Sequence, residues 1–358
     1  MNFWKNLPRP FFVVAPMADV TDAAFRRVIA KYGKPDVMWT EFVAADGLLR
    51  ATPEGKAKLM ADLIYSEEER PIVAQLFSSN VEYMEAAAKL CLELGFDGVD
   101  INMGCPDQSI EKQGCGSAMI KTPDVARAII RAAKKGAKSD EGGIPVSVKT
   151  RIGYNKDEID TWIPELLAEK PAAITIHART RKEMSKVEAK WERVARVVVL
   201  RDALSPDTLI IGNGDVLSLA DAHSKVAESG ADGAMIGRAL FGNPWIFNAN
   251  LRLPFRLHAL PTHGVNRDTL FTLDESDTKT VIISLEERLQ VMVEHTKLFA
   301  ELLPHKNFAV MKKHYKAYVN GFPGAAELRH ELMEQNSAAD IEKVVHAFLS
   351  AADRNTLH

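Results

Sequence analysis

Eight short apolar runs, each followed by a helical stretch, constrain this chain more than anything else in it. They fall at residues 11–16, 37–43, 72–77, 98–103, 145–151, 173–179, 208–212 and 233–237. Several are almost wholly apolar, as parallel strands covered on both faces require. The stretches between them carry helix boundaries. Asn80 precedes an amphipathic run that stops at Gly95. Thr122, Pro123 and Asp124 read as an N-cap, a first-turn proline and a first-turn acid. Ser218 reads as the cap of residues 219–229, ahead of Gly230. Eight alternating units predict an α/β protein of the (β/α)8 kind, a TIM barrel, rather than an open doubly wound sheet.

After Pro244 the pattern changes. Residues 1–250 are expected to hold the barrel. Residues 251–284 are ragged and polar, with Pro254, Pro261 and Gly264, and read as a connector. Residues 285–358 read as an appended helical domain, with helices at 285–303, 308–320, 325–335 and 341–352. No apolar run approaches the roughly 20 residues that cross a bilayer, so no membrane segment is expected. Residues 11–17 are too short for a secretory core, and no signal peptide is read. Three cysteines, Cys91, Cys105 and Cys115, make no paired framework and fit no common zinc spacing. A reducing cytoplasm and no metal follow as expectations. No protein partner is evident, and a monomer is expected.

Barrel enzymes keep their chemistry at the C-terminal ends of the strands. At those ends this sequence places Ala15-Pro16-Met17-Ala18, Thr40-Glu41, Gln75, Asn102-Met103-Gly104-Cys105-Pro106, Lys149 and Arg151, His177 with Arg179 and Arg181, Asn213-Gly214-Asp215, and Gly237-Arg238. Nearly every one of these sites carries a hydrogen-bonding or ionisable group. Cys105 could be a small buried hydrophobe, but its Gly-Cys-Pro turn lies outside any periodic element and favours a reactive thiol. Lys149 interrupts an apolar run, so it needs an anionic partner or a depressed pKa. His177 alone reads equally well as a satisfied core histidine. Residues 212–215 could be only a tight turn. With Gly237-Arg238 they fit the phosphate-binding corner that barrels build after strands seven and eight. Cys91 reads as core and Cys115 as structural. The residues thus describe a barrel with a phosphate-bearing cofactor and a thiol after strand four. That fits an FMN enzyme without naming its substrate.

A set of motifs then resembles one family, the bacterial-type tRNA-dihydrouridine synthases. They are Ala15-Pro16-Met17-Ala18, Asp100-Ile101-Asn102-Met103-Gly104-Cys105-Pro106, Gly116-Ser117-Ala118-Met119, Val148-Lys149-Thr150-Arg151-Ile152-Gly153, Ile176-His177-Ala178-Arg179-Thr180, Gly212-Asn213-Gly214-Asp215-Val216 and Ile236-Gly237-Arg238. In the tail, Met311-Lys312-Lys313-His314-Tyr315-Lys316 and Gly321-Phe322-Pro323-Gly324-Ala325 resemble the family's helical domain. The resemblance implies reduction of the C5–C6 bond of uridine in tRNA, with bound FMN recharged by NADPH and Cys105 as proton donor. It implies that Pro16, Met17, Ala18, Gln75, Lys149, His177, Asn213, Gly214, Asp215, Gly237 and Arg238 hold FMN. It implies that Asn102, Arg179 and Arg181 meet the target base or RNA phosphate. The sequence departs from the commonest pattern at residues 107–113, which are more acidic than that pattern.

The net charge of −3 counts mildly against an RNA ligand. The tail answers this locally. Residues 305–329 hold Lys306, Lys312, Lys313, Lys316 and Arg329 against one acid, Glu327, with Tyr315, Tyr318 and Phe322 interleaved. Lys312, Lys313 and Lys316 share a helix side and predict a phosphate-tracking surface. Two rival functions remain at this stage: a dihydroorotate-dehydrogenase-type FMN barrel, and a non-catalytic tRNA-binding protein.

Overall fold

The eight runs form eight parallel strands. In this computed structural model, which describes residues 2–252 and 281–356, they are β1 (Phe11–Val14), β2 (Met38–Ala44), β3 (Ile72–Phe77), β4 (Gly98–Met103), β5 (Val146–Arg151), β6 (Ala173–His177), β7 (Leu209–Asn213) and β8 (Gly233–Ile236). They make one sheet in the order 1-8-7-6-5-4-3-2. A parallel bridge between Val13 and Val37 joins β1 to the residue before β2 and closes the ring. The architecture is a (β/α)8 barrel with C-terminal helices.

Successive strand residues point to opposite faces, so every second residue looks inward. At the N-terminal end these are apolar: Phe11, Val13, Trp39, Val73, Ala173 and Leu209 pack into one cluster. Trp4, from a short turn ahead of β1, is 3% exposed and joins that cluster, its ring 5.7 Å from Phe11 and 5.9 Å from Trp39. Burying an indole there is worth about 2–3 kcal/mol. It also seals one end of the barrel and leaves polar inward residues for the other.

The connecting helices are α1 (Ala23–Tyr32), α2 (Ala45–Arg50), α3 (Pro53–Ala61), α4 (Val81–Glu93), α5 (Gln108–Glu111), α6 (Pro123–Gly136), α7 (Ile159–Leu167), α8 (Trp191–Leu204) and α9 (Leu219–Ser229). Asn80 caps α4 through the Tyr83 N–H, and Ser218 caps α9 through that of Asp221. Met84, Ala87, Ala88 and Cys91 are the buried stripe of α4, spaced as a helix face requires. Thr122 makes no side-chain cap, because its backbone sits at φ −133°, ψ 66°.

Two compact units divide the described residues. One holds residues 2–21 and 35–237, and the other residues 22–34, 238–252 and 281–356. The second unit joins α1 to α10 (Leu285–Leu302), α11 (Lys312–Tyr318), α12 (Ala325–Glu334) and α13 (Ala338–Thr356). Inside it, Phe25 stacks on His295 at 4.9 Å, and His295 meets His314 edge-on at 4.6 Å. Lys31 and Tyr32 both donate to Glu294, at 2.8 and 2.6 Å. Most of the expected connector, residues 253–280, lies outside the described residues. Among the described residues no helix is long and apolar enough to cross a membrane.

Candidate active site

Register builds the floor of the open end. Gln75 on β3, Asp100 on β4 and Ser147 on β5 are aligned partners in neighbouring strands. Ser147 Oγ donates to Asp100 Oδ1 at 2.6 Å, and Gln75 Nε2 donates to Asp100 Oδ2 at 2.7 Å. Burial pushes the Asp100 carboxyl up to about 6, against the pull of those two hydrogen bonds and of Lys149. One layer higher, Asn102 Nδ2 donates to Gln75 Oε1 at 3.2 Å. Asn102 Oδ1 then accepts the N–H groups of Gly104 and Cys105, at 3.1 and 2.9 Å. A continuous hydrogen-bonded path thus runs from the barrel floor to the backbone of Cys105.

That backbone is held from other sides as well. Arg151 Nε donates to the Gly104 carbonyl at 2.7 Å. The N–H and hydroxyl of Ser117 each lie 2.9 Å from the Cys105 carbonyl. Gly116, at φ +60°, passes so close that a Cβ there would come within 2.6 Å of the same carbonyl oxygen. The Cys105 thiol is half-buried and free. Burial raises its pKa, as does the charge of Asp107, while the Asp107 N–H and the cations of Arg151 and Lys149 oppose the rise. The thiol is therefore protonated at neutral pH and available as an acid. Cys91 and Cys115, both buried, carry no disulfide.

Lys149 meets the second of its two sequence alternatives, a depressed pKa, and its hydrogen-bond partner is a neutral amide. Its ammonium donates to Asn213 Oδ1 at 3.2 Å. Burial and the neighbouring Arg151 push its pKa down to about 8, against Asp100 and Cys105. Asn213 Nδ2 in turn donates to the Met235 carbonyl at 2.8 Å. Gly214 has φ +121°, and a Cβ there would meet Ala189 Cβ at 2.8 Å and His177 Cδ2 at 3.2 Å, so only glycine fits. Asp215 follows at φ +50°. The ends of β1 and β8 adjoin: Ala15 N–H donates to the Ile236 carbonyl at 2.8 Å, and a Cβ on Gly237 would sit 3.5 Å from Met17 Sδ. Arg238 opens the short turn Arg238–Leu240 directly after β8.

The residues expected at the RNA differ in exposure. Arg179 is 1% exposed and pairs with Asp215. It also donates to the Val187 carbonyl at 2.6 Å and to His177 Nε2 at 3.1 Å. A guanidinium only donates, so Nε2 accepts and the His177 ring proton sits on Nδ1. Asn102, 5% exposed, spends its amide on Gln75 and the Cys105 loop. Arg181 keeps 25% of its side chain exposed and pairs with Glu111. On α11, Lys316 is exposed, and Lys312 and Lys313 are half-buried. Of the interleaved aromatic residues, Tyr315 and Tyr318 are fully buried and Phe322 is 9% exposed, so they build the helical core. Sequence reading passed over Asp100, Ser117 and Glu111 as site residues. The period of two from Asn102 and Lys149 back to Asp100 and Ser147 was the available signal.

A closed parallel barrel with a clamped, protonated thiol and a half-buried lysine at its C-terminal end defines a barrel enzyme. The chain belongs to the dihydrouridine synthase family (Dus), whose model matches residues 13–353. A relative from Staphylococcus aureus (strain COL), named "Probable tRNA-dihydrouridine synthase", is 37% identical over 355 residues, covering 99% of this chain and 98% of the relative. "Probable tRNA-dihydrouridine synthase 2" of Bacillus subtilis (strain 168) is 38% identical over 348 residues, covering 97% and 96%. Among solved structures, a 2-naphthoyl-CoA reductase complex shares the fold at a TM-score of 0.50 and 12% identity. The match covers 66% of this chain and 49% of that one.

Proposed function

We propose that this protein is a tRNA-dihydrouridine synthase that reduces the C5–C6 bond of a uridine in tRNA, with Cys105 as the proton donor. The observation that carries the reading is the Cys105 thiol, kept protonated by burial and fixed by Asn102, Arg151 and Ser117 beside Lys149. The relatives named for this activity support uridine in tRNA as the substrate.

The residues at the barrel mouth suit FMN. A half-buried cation, Lys149, stands beside Asn213. The Thr175 hydroxyl, buried one strand away from Lys149 in register, has no partner among the described residues. The backbone after β7 can approach a ligand closely because Gly214 lacks a side chain. Main-chain groups of Pro16, Met17 and Ala18, with Gln75, Lys149 and His177, would hold the ring. Asn213, Gly214, Asp215, Gly237 and Arg238 would hold the ribityl chain and phosphate. Asp215 contributes through its backbone, since its carboxylate is committed to Arg179. Bound FMN would supply the hydride for C6, drawn from NADPH. Cys105 holds the proton for C5 on Sγ, the C5–C6 π bond is replaced by two C–H bonds, and solvent reprotonates the thiolate. Lys149 would offer positive charge to the polar edge of the ring. Arg181 and the lysines of α11 serve the RNA. The protein works as a cytoplasmic monomer in this reading.

The lysines of α11 favour a polyanionic substrate over the small molecule of a dihydroorotate-dehydrogenase-type enzyme. The test is to record the flavin spectrum of the purified protein, incubate it with NADPH and tRNA lacking dihydrouridine, and digest the tRNA to nucleosides. Wild type yields dihydrouridine. Cys105→Ala keeps the flavin and loses about a hundredfold or more in rate, the scale of a missing general acid. A Cys105→Ala protein that forms product at the normal rate would remove Cys105 from its role.

A further inference from the structure

Glu111, at the end of α5, lies on the acidic stretch behind Cys105, and its side chain is 9% exposed. Its Oε1 accepts from the Ser117 hydroxyl at 2.9 Å. That hydroxyl is also 2.9 Å from the Cys105 carbonyl, to which the Ser117 N–H donates. From the other side Arg181 Nε lies 3.0 Å from each Glu111 oxygen, and its Nη2 closes the ion pair. Arg181 in turn lies over the Tyr154 ring, 5.4 Å from its centroid.

We propose that Glu111 is a positioning residue: its carboxylate is a strut between Arg181 and Ser117 that fixes the backbone presenting the Cys105 thiol. Three residues anchor the loop. Asn102 holds its N–H groups from β4, and Arg151 holds its Gly104 carbonyl from β5. Ser117 holds the Cys105 carbonyl, but it lies only twelve residues further along the same excursion after β4. The same excursion is held toward β3 by the Ser79 hydroxyl on the Gln113 carbonyl at 2.7 Å and by Ile110 and Cys115 packed with Phe77, but those ties do not reach the side of the mouth after β6. Glu111 supplies that tie, because Arg181 reaches it from the segment after β6. Burial works against charge on Glu111, yet the hydrogen bonds of Arg181, Ser117 and Tyr154 outweigh it and keep the carboxylate ionised. The strut therefore persists through the neutral range.

The inference rests on Cys105 as the proton donor, and its test separates the two. The holoenzyme is treated with iodoacetamide from neutral to alkaline pH, and modification of the Cys105 peptide is followed by mass spectrometry. Asp107, Arg151 and Lys149, the charged groups that face this thiol, are untouched in the variants. Glu111→Gln, nearly isosteric, releases Arg181. It is expected to alkylate Cys105 severalfold faster and to move the midpoint down toward an ordinary thiol. Its kcat for dihydrouridine falls on the order of tenfold while KM for tRNA changes less, as misplacement of a reacting group dictates. Ser117→Ala gives the same shift, and the double variant is no worse than either single one, since one strut is broken once. An alkylation profile in Glu111→Gln that matches wild type overturns the proposal, as does additivity in the double variant. Neither result touches Cys105 itself, which stands or falls with Cys105→Ala.

Discussion

Lys149 shows how charge is set against stability at a single position. Its pKa near 8 against an ordinary 10.5 means that the fold holds this ammonium at a cost. At 1.36 kcal/mol per unit the cost reaches at most about 3 kcal/mol below pH 8. Lys149→Met should therefore raise the melting temperature of the apoprotein while weakening FMN binding, measured by calorimetry and flavin titration. The sign with pH follows. Lys149 loses its charge above about pH 8, so FMN affinity should fall there in the wild type and hold in Lys149→Arg. The lysine was legible because a cation inside an apolar run has few bland explanations. Asp100 was not, because an acid beside Val99 and Ile101 acquires meaning only when register brings Gln75 and Ser147 against it.

Among the elements, strands were the most readable, since period and apolar content fix both their extent and their inward face. Helix starts were readable where a side-chain oxygen reaches the first turn, as at Asn80 and Ser218. Thr122 has the right chemistry but the wrong backbone angles. α2 and α3, between β2 and β3, escaped the reading because α3 buries no residue and so shows no stripe. In the loop after β6, Arg179 is expected at the RNA from its place after a strand, and in the structure it pairs with Asp215 and meets His177 and the Val187 carbonyl. Arg179→Met should take the guanidinium away from Asp215, whose side chain is 12% exposed and also accepts from the Ala189 N–H at 2.9 Å, and cost about 3–5 kcal/mol in chemical denaturation. Loss of tRNA affinity without loss of stability would return Arg179 to the RNA surface.

For the whole molecule, the boundary lies where sequence order gives no warning, because α1 follows β1 yet belongs to the second unit, where its Phe25 meets His295 of α10 and His314 of α11. That unit encloses His295 and His314 without a hydrogen-bond partner for either ring among the described residues. Burial holds His295 down to about 3 and His314 well below its ordinary value, the latter also through His295 and Lys313. The unfolded chain binds protons near pH 6.5 and the folded unit does not, so stability should fall as pH drops from 6.5 toward 3, by up to about 4 kcal/mol for His295 alone. Acid titration of helicity should show this, and His295→Phe should flatten it. The charge of α11 belongs to the same unit. Lys312→Glu with Lys313→Glu should weaken tRNA binding and reduce its salt dependence, while flavin reduction by NADPH persists. The claim that unites barrel, thiol and helical unit is that this protein makes dihydrouridine in tRNA. Mapping that base in tRNA from cells with and without the gene tests it most directly. The account predicts that specific dihydrouridines vanish without the gene and return with the wild-type copy but not with Cys105→Ala. An unchanged dihydrouridine map would contradict it.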